Sequence, residues 1–427
     1  MLFPPLFAKV TDPRDRQKIL YPLAALAFAG MMMFLFRLKA RRQIGLLLRN
    51  GPSAHKFEAC FGVKRVPHGD TLEAAFSKLE VDQVQSVVTA MTETLIRKKV
   101  LYPYRLLGLY FVVVIDGTGT IRFRRRHCPH CLTRTRNGKT LYFHPVLEAK
   151  LVTPNGLVFS VLSEFIENPG EKATLQDCEL KAFYRLAERL KARFPRLPIL
   201  LSMDGLFAGG PTFSLCRQYG WKFMIVLKDD DLSSVNEEFH ALSPLQPQNR
   251  LVWHTGRGAQ IQQVFRWVDD IAYVDSQKKA HTLSVIECLE TQPDPEGPKK
   301  TTKFKWVTNC QVSGHNIVPL SNEGGRIRWK IENEGFNVQK KGGYGLEHAY
   351  TNHPNSAKIF YFLLQIAHLL AQLLYKAELL KRDFPQGFGS AKNLAFHLLE
   401  AWRNARLAPA DIAAALQKRF QIRFDSS

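Results

Sequence analysis

The spacing of apolar positions changes character near residue 109. Before it, apolar residues recur at helical intervals, as in Leu72, Phe76 and Leu79. The segment Asp70-Thr71-Leu72-Glu73 offers a helix start, with Asp70 accepting from a free amide and Glu73 reaching back. Leu20 to Phe36 is a run of 17 uncharged residues followed by Arg37, Lys39, Arg41 and Arg42. A membrane span needs about 20 apolar residues, and Pro22 and Gly30 interrupt this one, so a buried helix is expected. From Leu109 the pattern is that of strands. Residues 109–115 form a continuous apolar, β-branched run, as expected of a strand buried on both faces, and it ends at Asp116-Gly117. Strands are predicted over 142–152 and 156–165 around a Pro154-Asn155-Gly156 turn, and a helix over 176–194 with Leu180, Phe183, Leu186 and Leu190 on its apolar side. A strand over 198–203 ends at Asp204-Gly205, and a short helix (211–219) and a strand (222–227) follow.

Residues 233–311 turn β-rich, with short strand candidates separated by Gly, Pro, Asp or Lys clusters. A helix is predicted over 326–340 and a long one over 356–381, apolar almost all round and therefore buried. The succession of strand, hairpin strands, helix, strand, helix and strand is that of a ribonuclease-H-like (retroviral-integrase-like) α/β domain. The expected organisation is a basic helical N-terminal domain (1–105), the first part of the core (106–232) and an inserted β-rich subdomain (233–311). The last part of the core (312–385) and a helical tail (386–427) complete it.

Charge adds a partner to this picture. The 427 residues carry a formal net charge of +21, which favours a polyanion such as DNA, and residues 1–105 hold 17 Lys and Arg against 8 Asp and Glu. With 45% hydrophobic residues the chain is not disordered, and 27 Gly and 23 Pro exclude a collagen-like repeat. Seven scattered cysteines make no disulfide framework and fit a reducing cytosol. The first 18 residues include Asp12 and Asp15 and read as no leader.

Asp116 and Asp204 each follow an apolar strand and precede a glycine, 88 residues apart, so only the fold can unite them. Two carboxylates at one sheet edge are unfavourable unless a cation lies between them, which points to a divalent metal. The helix over 326–340 supplies a third acid: Arg328, Glu332 and Phe336 are spaced four apart and share a face. The motifs Val-Ile-Asp-Gly-Thr (114–118), Met-Asp-Gly-Leu-Phe-Ala (203–208) and Arg-Trp-Lys-Ile-Glu-Asn-Glu-Gly-Phe-Asn (328–337) resemble those of DDE transposases of bacterial insertion sequences that carry a β-rich insertion before the last acid. The resemblance covers roughly residues 109–353. It implies that Asp116, Asp204 and Glu332 chelate two Mg²⁺ ions, with Mn²⁺ able to substitute, and that Arg328 holds a DNA phosphate. Two positions depart from the family. Its Tyr three residues before the Arg is Gly325 here, and its Lys seven residues after the Glu falls on Gln339, beside Lys340 and Lys341, which take the DNA-binding role in this reading. Lys341 is seven residues after Glu334, so Glu334 is a rival third acid; the Trp-x-Ile-Glu context favours Glu332.

The expected activity is metal-dependent cleavage at transposon ends and 3′-hydroxyl strand transfer into target DNA, by a cytoplasmic, nucleoid-associated homodimer or higher assembly without stable membrane association. A nuclease with the same core, or an inactive DNA-binding derivative, carries the same signals. A second constellation is Cys128-x-x-Cys131, whose sulfurs suit Zn²⁺, with His144 or Cys178 as further ligands. Arg124, Arg125 and Arg126, together with Arg134 and Arg136, make this loop basic and suited to gripping phosphates. Asp229-Asp230-Asp231 reads as a solvated turn, Met31 to Met33 as core filler, and His348 and His353 as ordinary surface histidines.

Overall fold

A computed structural model describes residues 3–123, 125, 128–170, 175–294, 297–380, 384–417 and 422–424. Its strands are β1 (Phe111–Phe123), β2 (Leu132–Arg136), β3 (Lys139–Val152), β4 (Val158–Phe165), β5 (Ile199–Met203), β6 (Lys222–Val226), β7 (Arg250–Thr255), β8 (Ile261–Val274), β9 (Ala280–Asp294) and β10 (Gly297–Thr308). All ten join one mixed sheet in the order β2-β3-β1-β5-β6-β10-β9-β8-β7, and β4 pairs with β3 beside β2. β1, β3 and β4 form an antiparallel meander, whereas β1, β5 and β6 run parallel. The fold is thus α/β, as the alternation of strand and helix patterns implies.

The apolar run of β1 is buried on both faces, and its alternate residues enter different cores. Phe111, Val113 and Ile115 pack with Ala182, Phe183 and Leu186 of helix α7 (Glu179–Arg193), while Val112 and Val114 pack with Leu320, Ile331 and Phe336. The strand does not stop at Asp116: Gly117 to Phe123 continue to pair with β3, with a register break between Gly119 and Ile121. What ends near Asp116 is its parallel neighbour, since β5 pairs with β1 only as far as Val114 and Ser202. The strands expected as a separate insertion continue the same sheet, because β10 pairs antiparallel with β6 through Val226 and Trp306. Helix α9 (Ser233–Leu242), which the β-rich reading passed over, buries Val235 and Phe239 and packs against β8.

Six helices precede β1: α1 (Phe3–Phe7), α2 (Leu23–Leu35), α3 (Arg42–Leu47), α4 (Gly51–Phe61), α5 (Gly69–Phe76) and α6 (Val81–Arg97). They share a core with α12 (Pro354–Lys376) and the sheet. α6 is fastened to β4 by Thr89 and Thr92, whose hydroxyls donate to the carbonyls of Val161 and Ser160 at 2.8 and 2.9 Å. α2 is the buried helix expected of the uncharged run. Its Gly30 allows close approach to α12, for a Cβ there would lie 2.7 Å from Leu363 Cδ1. α12 is long and apolar enough to cross a membrane, but 78% of its apolar window is buried inside the protein. α5 begins two residues before the expected start, capped by His68 rather than Asp70. Glu73 turns away from the cap to Arg41 and Thr351. Helices α13 (Ala391–Asn404) and α14 (Pro409–Gln417) make up the tail.

The predicted helix over 326–340 is longer and less regular than its pattern suggests. It starts with a single α turn, α10 (Ile317–Pro319), and passes through π turns (Leu320–Gly325 and Ile331–Phe336) and a 3₁₀ turn (Arg326–Arg328) into α11 (Asn337–Lys341). The remaining helix of the core, α8 (Gly210–Tyr219), precedes β6.

A candidate acidic site at the sheet edge

The register of the sheet brings the two aspartates together. Val114 pairs with Ser202, and two residues beyond this pair on each strand stand Asp116 and Asp204. Asp204 caps the 3₁₀ turn Gly205–Phe207, its Oδ1 accepting from Leu206 N at 3.0 Å. Asp116 Oδ1 accepts from Gly117 N at 2.9 Å, and its Oδ2 accepts from Arg328 Nη1 at 3.1 Å. Arg328 and Glu332 lie on the irregular helix, each one residue after an isoleucine (Ile327, Ile331) buried against the sheet, and Arg328 reaches Asp116 on β1.

Burial pushes the Asp116 carboxyl up to about 6, against the lowering pull of Arg328 and the Gly117 amide, and the charges of Asp204 and Glu332 add to the rise. The three acids do not close into a tight shell: among the described residues, no three carboxylates have oxygens all within 4.8 Å of one another. Arg328, expected to grip a phosphate, instead pairs with Asp116 in this state.

A fourth acid joins them. Glu179, at the start of α7, lies over Gly117, where a Cβ would meet its Oε1 at 2.3 Å. Its carboxyl is raised by burial and by the charges of Asp116 and Asp204. In the sequence it reads only as an acid favourable to a helix N-terminus, and nothing local marks its neighbours. A Cβ at Gly117 would displace the Glu179 carboxylate from this position.

Glu334 faces elsewhere. It lies against the β3–β4 turn, where a Cβ on Gly156 would come 3.7 Å from its Cδ, and burial lowers the pKa of Lys376 while the charge of Glu334 partly offsets this. The two family departures also have physical causes. A Cβ on Gly325 would lie 2.6 Å from the indole of Trp306, so that ring fills the space a tyrosine needs. Gln339 is fully buried and points into a polar network, donating to Gln365 Oε1 at 2.8 Å and lying 3.0 Å from His368 Nδ1. That network continues to the buried pair Lys150 and Glu148, 3.2 Å apart, and Glu148 also accepts from Ser160, Ser163 and Tyr361. Lys340 lies over the Phe336 ring at 5.8 Å, and Lys341 is exposed.

The basic loop lies apart from the acids in the chain. Arg125, Arg134 and Arg136 are exposed, while Arg124 and Arg126 lie outside the described residues. At its root, Cys128, Cys131 and His144 form the only group of three metal-ligating side chains among the described residues with donor atoms all within 4.8 Å. Cys178, the other candidate, is exposed and outside this group. Asp229 pairs with Lys303 and Lys305, at 2.9 and 3.0 Å, in keeping with a turn residue. No model of a known protein family matches the chain, and no curated protein matches it significantly.

Proposed function

We propose that the chain is a DDE-type DNA transposase, with Asp116, Asp204 and Glu332 as its metal-binding acids. The carrying observation is that Asp116 and Asp204 stand at matching positions on adjacent parallel strands, and that Arg328, from the helix that bears Glu332, bonds to Asp116. The strand order β4-β3-β1-β5-β6, antiparallel through the first three and parallel through the last three, supports a ribonuclease-H-like core. Arg328 is bonded to Asp116, and the all-oxygen donor set of Asp116, Asp204 and Glu332 suits Mg²⁺ or Mn²⁺. The donors thus fit a divalent ion.

In this reading Asp116, Asp204 and Glu332 hold the metal, with Glu179 available beside them. When bound, the metal would activate water or a 3′-hydroxyl for in-line attack on a phosphodiester and stabilise the departing oxygen. With Asp116 engaged as a ligand, the Arg328 guanidinium would be free to bind a DNA phosphate. Trp329, 48% exposed next to it, offers a stacking face to a base. Exposed Arg125, Arg134, Arg136 and Lys341 bind the backbone, in line with the +21 charge. Pairing of two element ends calls for two copies of the chain.

The test uses the purified full chain, end-labelled duplexes carrying the element's own termini, and Mg²⁺. Cleavage and joining to a target plasmid are expected from the natural protein. Asp116→Asn, Asp204→Asn and Glu332→Gln should each abolish both while leaving DNA retention in gel shifts intact. Cleavage without joining of pre-cut ends selects the nuclease reading instead, and full activity in any one variant removes that residue from the site.

A further inference from the structure

The Cys128-x-x-Cys131 turn and His144 lie about where a tetrahedral zinc ion needs them. The two sulfurs are 3.7 Å apart, and His144 Nε2 is 3.4 Å from Cys128 Sγ and 3.2 Å from Cys131 Sγ. Zinc–sulfur and zinc–nitrogen bonds of about 2.3 and 2.0 Å at tetrahedral angles put ligand atoms roughly 3.5–3.8 Å apart. A disulfide needs sulfurs at about 2.05 Å, and these are not bonded. We propose that Cys128, Cys131 and His144 bind one Zn²⁺ ion, with the fourth position taken by solvent, and that this ion fixes the root of the basic loop onto the sheet.

The surroundings are those of a held ligand set. His144 turns Nε2 to the sulfurs and Nδ1 towards Glu167 Oε1, 3.7 Å away, and Glu167 is itself paired with Lys358 at 2.6 Å. A carboxylate behind a histidine fixes its tautomer and strengthens it as a ligand. The turn is pinned independently by Asn168, whose Nδ2 donates to Cys131 O at 2.9 Å and whose backbone amide donates to His130 O at 3.1 Å. Cys131 is fully buried, whereas Cys128 and His144 line a cavity shared with Glu167, His348 and Tyr350, from which solvent reaches the fourth position. The ion would cross-link the turn before β2 to β3. β2 is the strand that carries exposed Arg134 and Arg136, so the consequence is a rigid basic arm. The site stands whatever reaction the acidic edge performs.

The test is zinc content of the full chain purified under reducing conditions without chelator, expected at one ion per chain. X-ray absorption at the zinc edge should report two sulfurs and two lighter ligands. Cys128→Ser and His144→Gln should lose the ion, Cys178→Ser should keep it, and Glu167→Gln should weaken zinc affinity by roughly 10–100-fold. Chelator treatment of the natural protein, which needs no variant to fold, should speed tryptic cleavage at Arg134 and Arg136 and be reversed by zinc. Metal-free protein that takes up no added zinc, a Cys128–Cys131 disulfide in its place, or undiminished zinc in Cys128→Ser or His144→Gln would overturn the proposal.

Discussion

Arg328 donates from the irregular helix to Asp116 on β1, with Nη1 3.1 Å from Oδ2, across 212 residues of chain. The guanidinium does not fully offset burial, since the Asp116 carboxyl is still raised to about 6. A carboxyl raised on folding holds its proton more tightly in the native state, so its contribution to stability is fully present below 3.8 and lost as pH rises through about 6. Asp116→Asn should therefore make the metal-free protein more stable by about 3 kcal/mol above that window and leave it little changed below it. Urea melts of both proteins across the window measure this. Mg²⁺ should stabilise the natural protein at neutral pH and have a much smaller effect on the variant.

Glu332 and Glu334 are two residues apart and face different neighbours. Glu332→Gln should lower Mg²⁺-dependent cleavage roughly a hundredfold or more, since loss of an outer partner of a metal ligand already costs about 10–100-fold. Glu334→Gln, which touches the Gly156 and Lys376 side, should stay within a few-fold of the natural rate. Initial cleavage rates of the two variants decide which glutamate serves the site.

Restoring the family's lysine at Gln339 should harm the protein. The position is fully buried and faces Gln365 and His368, with burial and nearby cations holding His368 down at about 3. Gln339→Lys places an unpaired ammonium there and should cost about 3 kcal/mol or more, with no gain in cleavage. Chemical denaturation gives the cost directly.

Lys150 and Glu148 form a pair in which both side chains are completely buried. Replacing either alone, as Lys150→Met or Glu148→Leu, strands the other charge and should cost about 3–5 kcal/mol. The double variant should cost less than the sum of the singles by about 1–3 kcal/mol. Because Lys150 lies 5.5 Å over the Phe336 ring, the single Lys150 variant should also loosen the helix that carries Glu332 and slow cleavage.

The parts of this fold legible in the sequence are those set by local pattern. The hairpin around Asn155, the amphipathic α7 and the apolar α12 each stand within about five residues of their expected bounds, and β1 begins two residues after its own. Asp116 and Asp204 could be singled out because both follow buried strands. Less legible were features decided by distant partners. β1 runs on past Asp116 because β3 continues to pair with it, and the glycine-rich segment there looked like a strand end. The π turns around Glu332 leave no periodic trace, since Gly324, Gly325 and Gly335 are placed by what they pack against: Leu106, Trp306 and Val158. Glu179 and Glu148 were invisible as site neighbours because an acid on a helix or strand reads as solvated until the fold buries it.

β6 and β10 are hydrogen-bonded at Val226 and Trp306, and Leu227 N donates to Lys305 O at 2.9 Å, so the chain comes back to the rung from which it departs. Everything between those residues is a closed excursion whose two stems hold each other. Its strands also hold the helix that bears Glu332, through Gln263 with Asn322 and Glu290 with Arg326, so its length can change without moving that helix only where these contacts are kept. This makes the outer strands the natural place to graft a new contact surface onto an unchanged acidic edge.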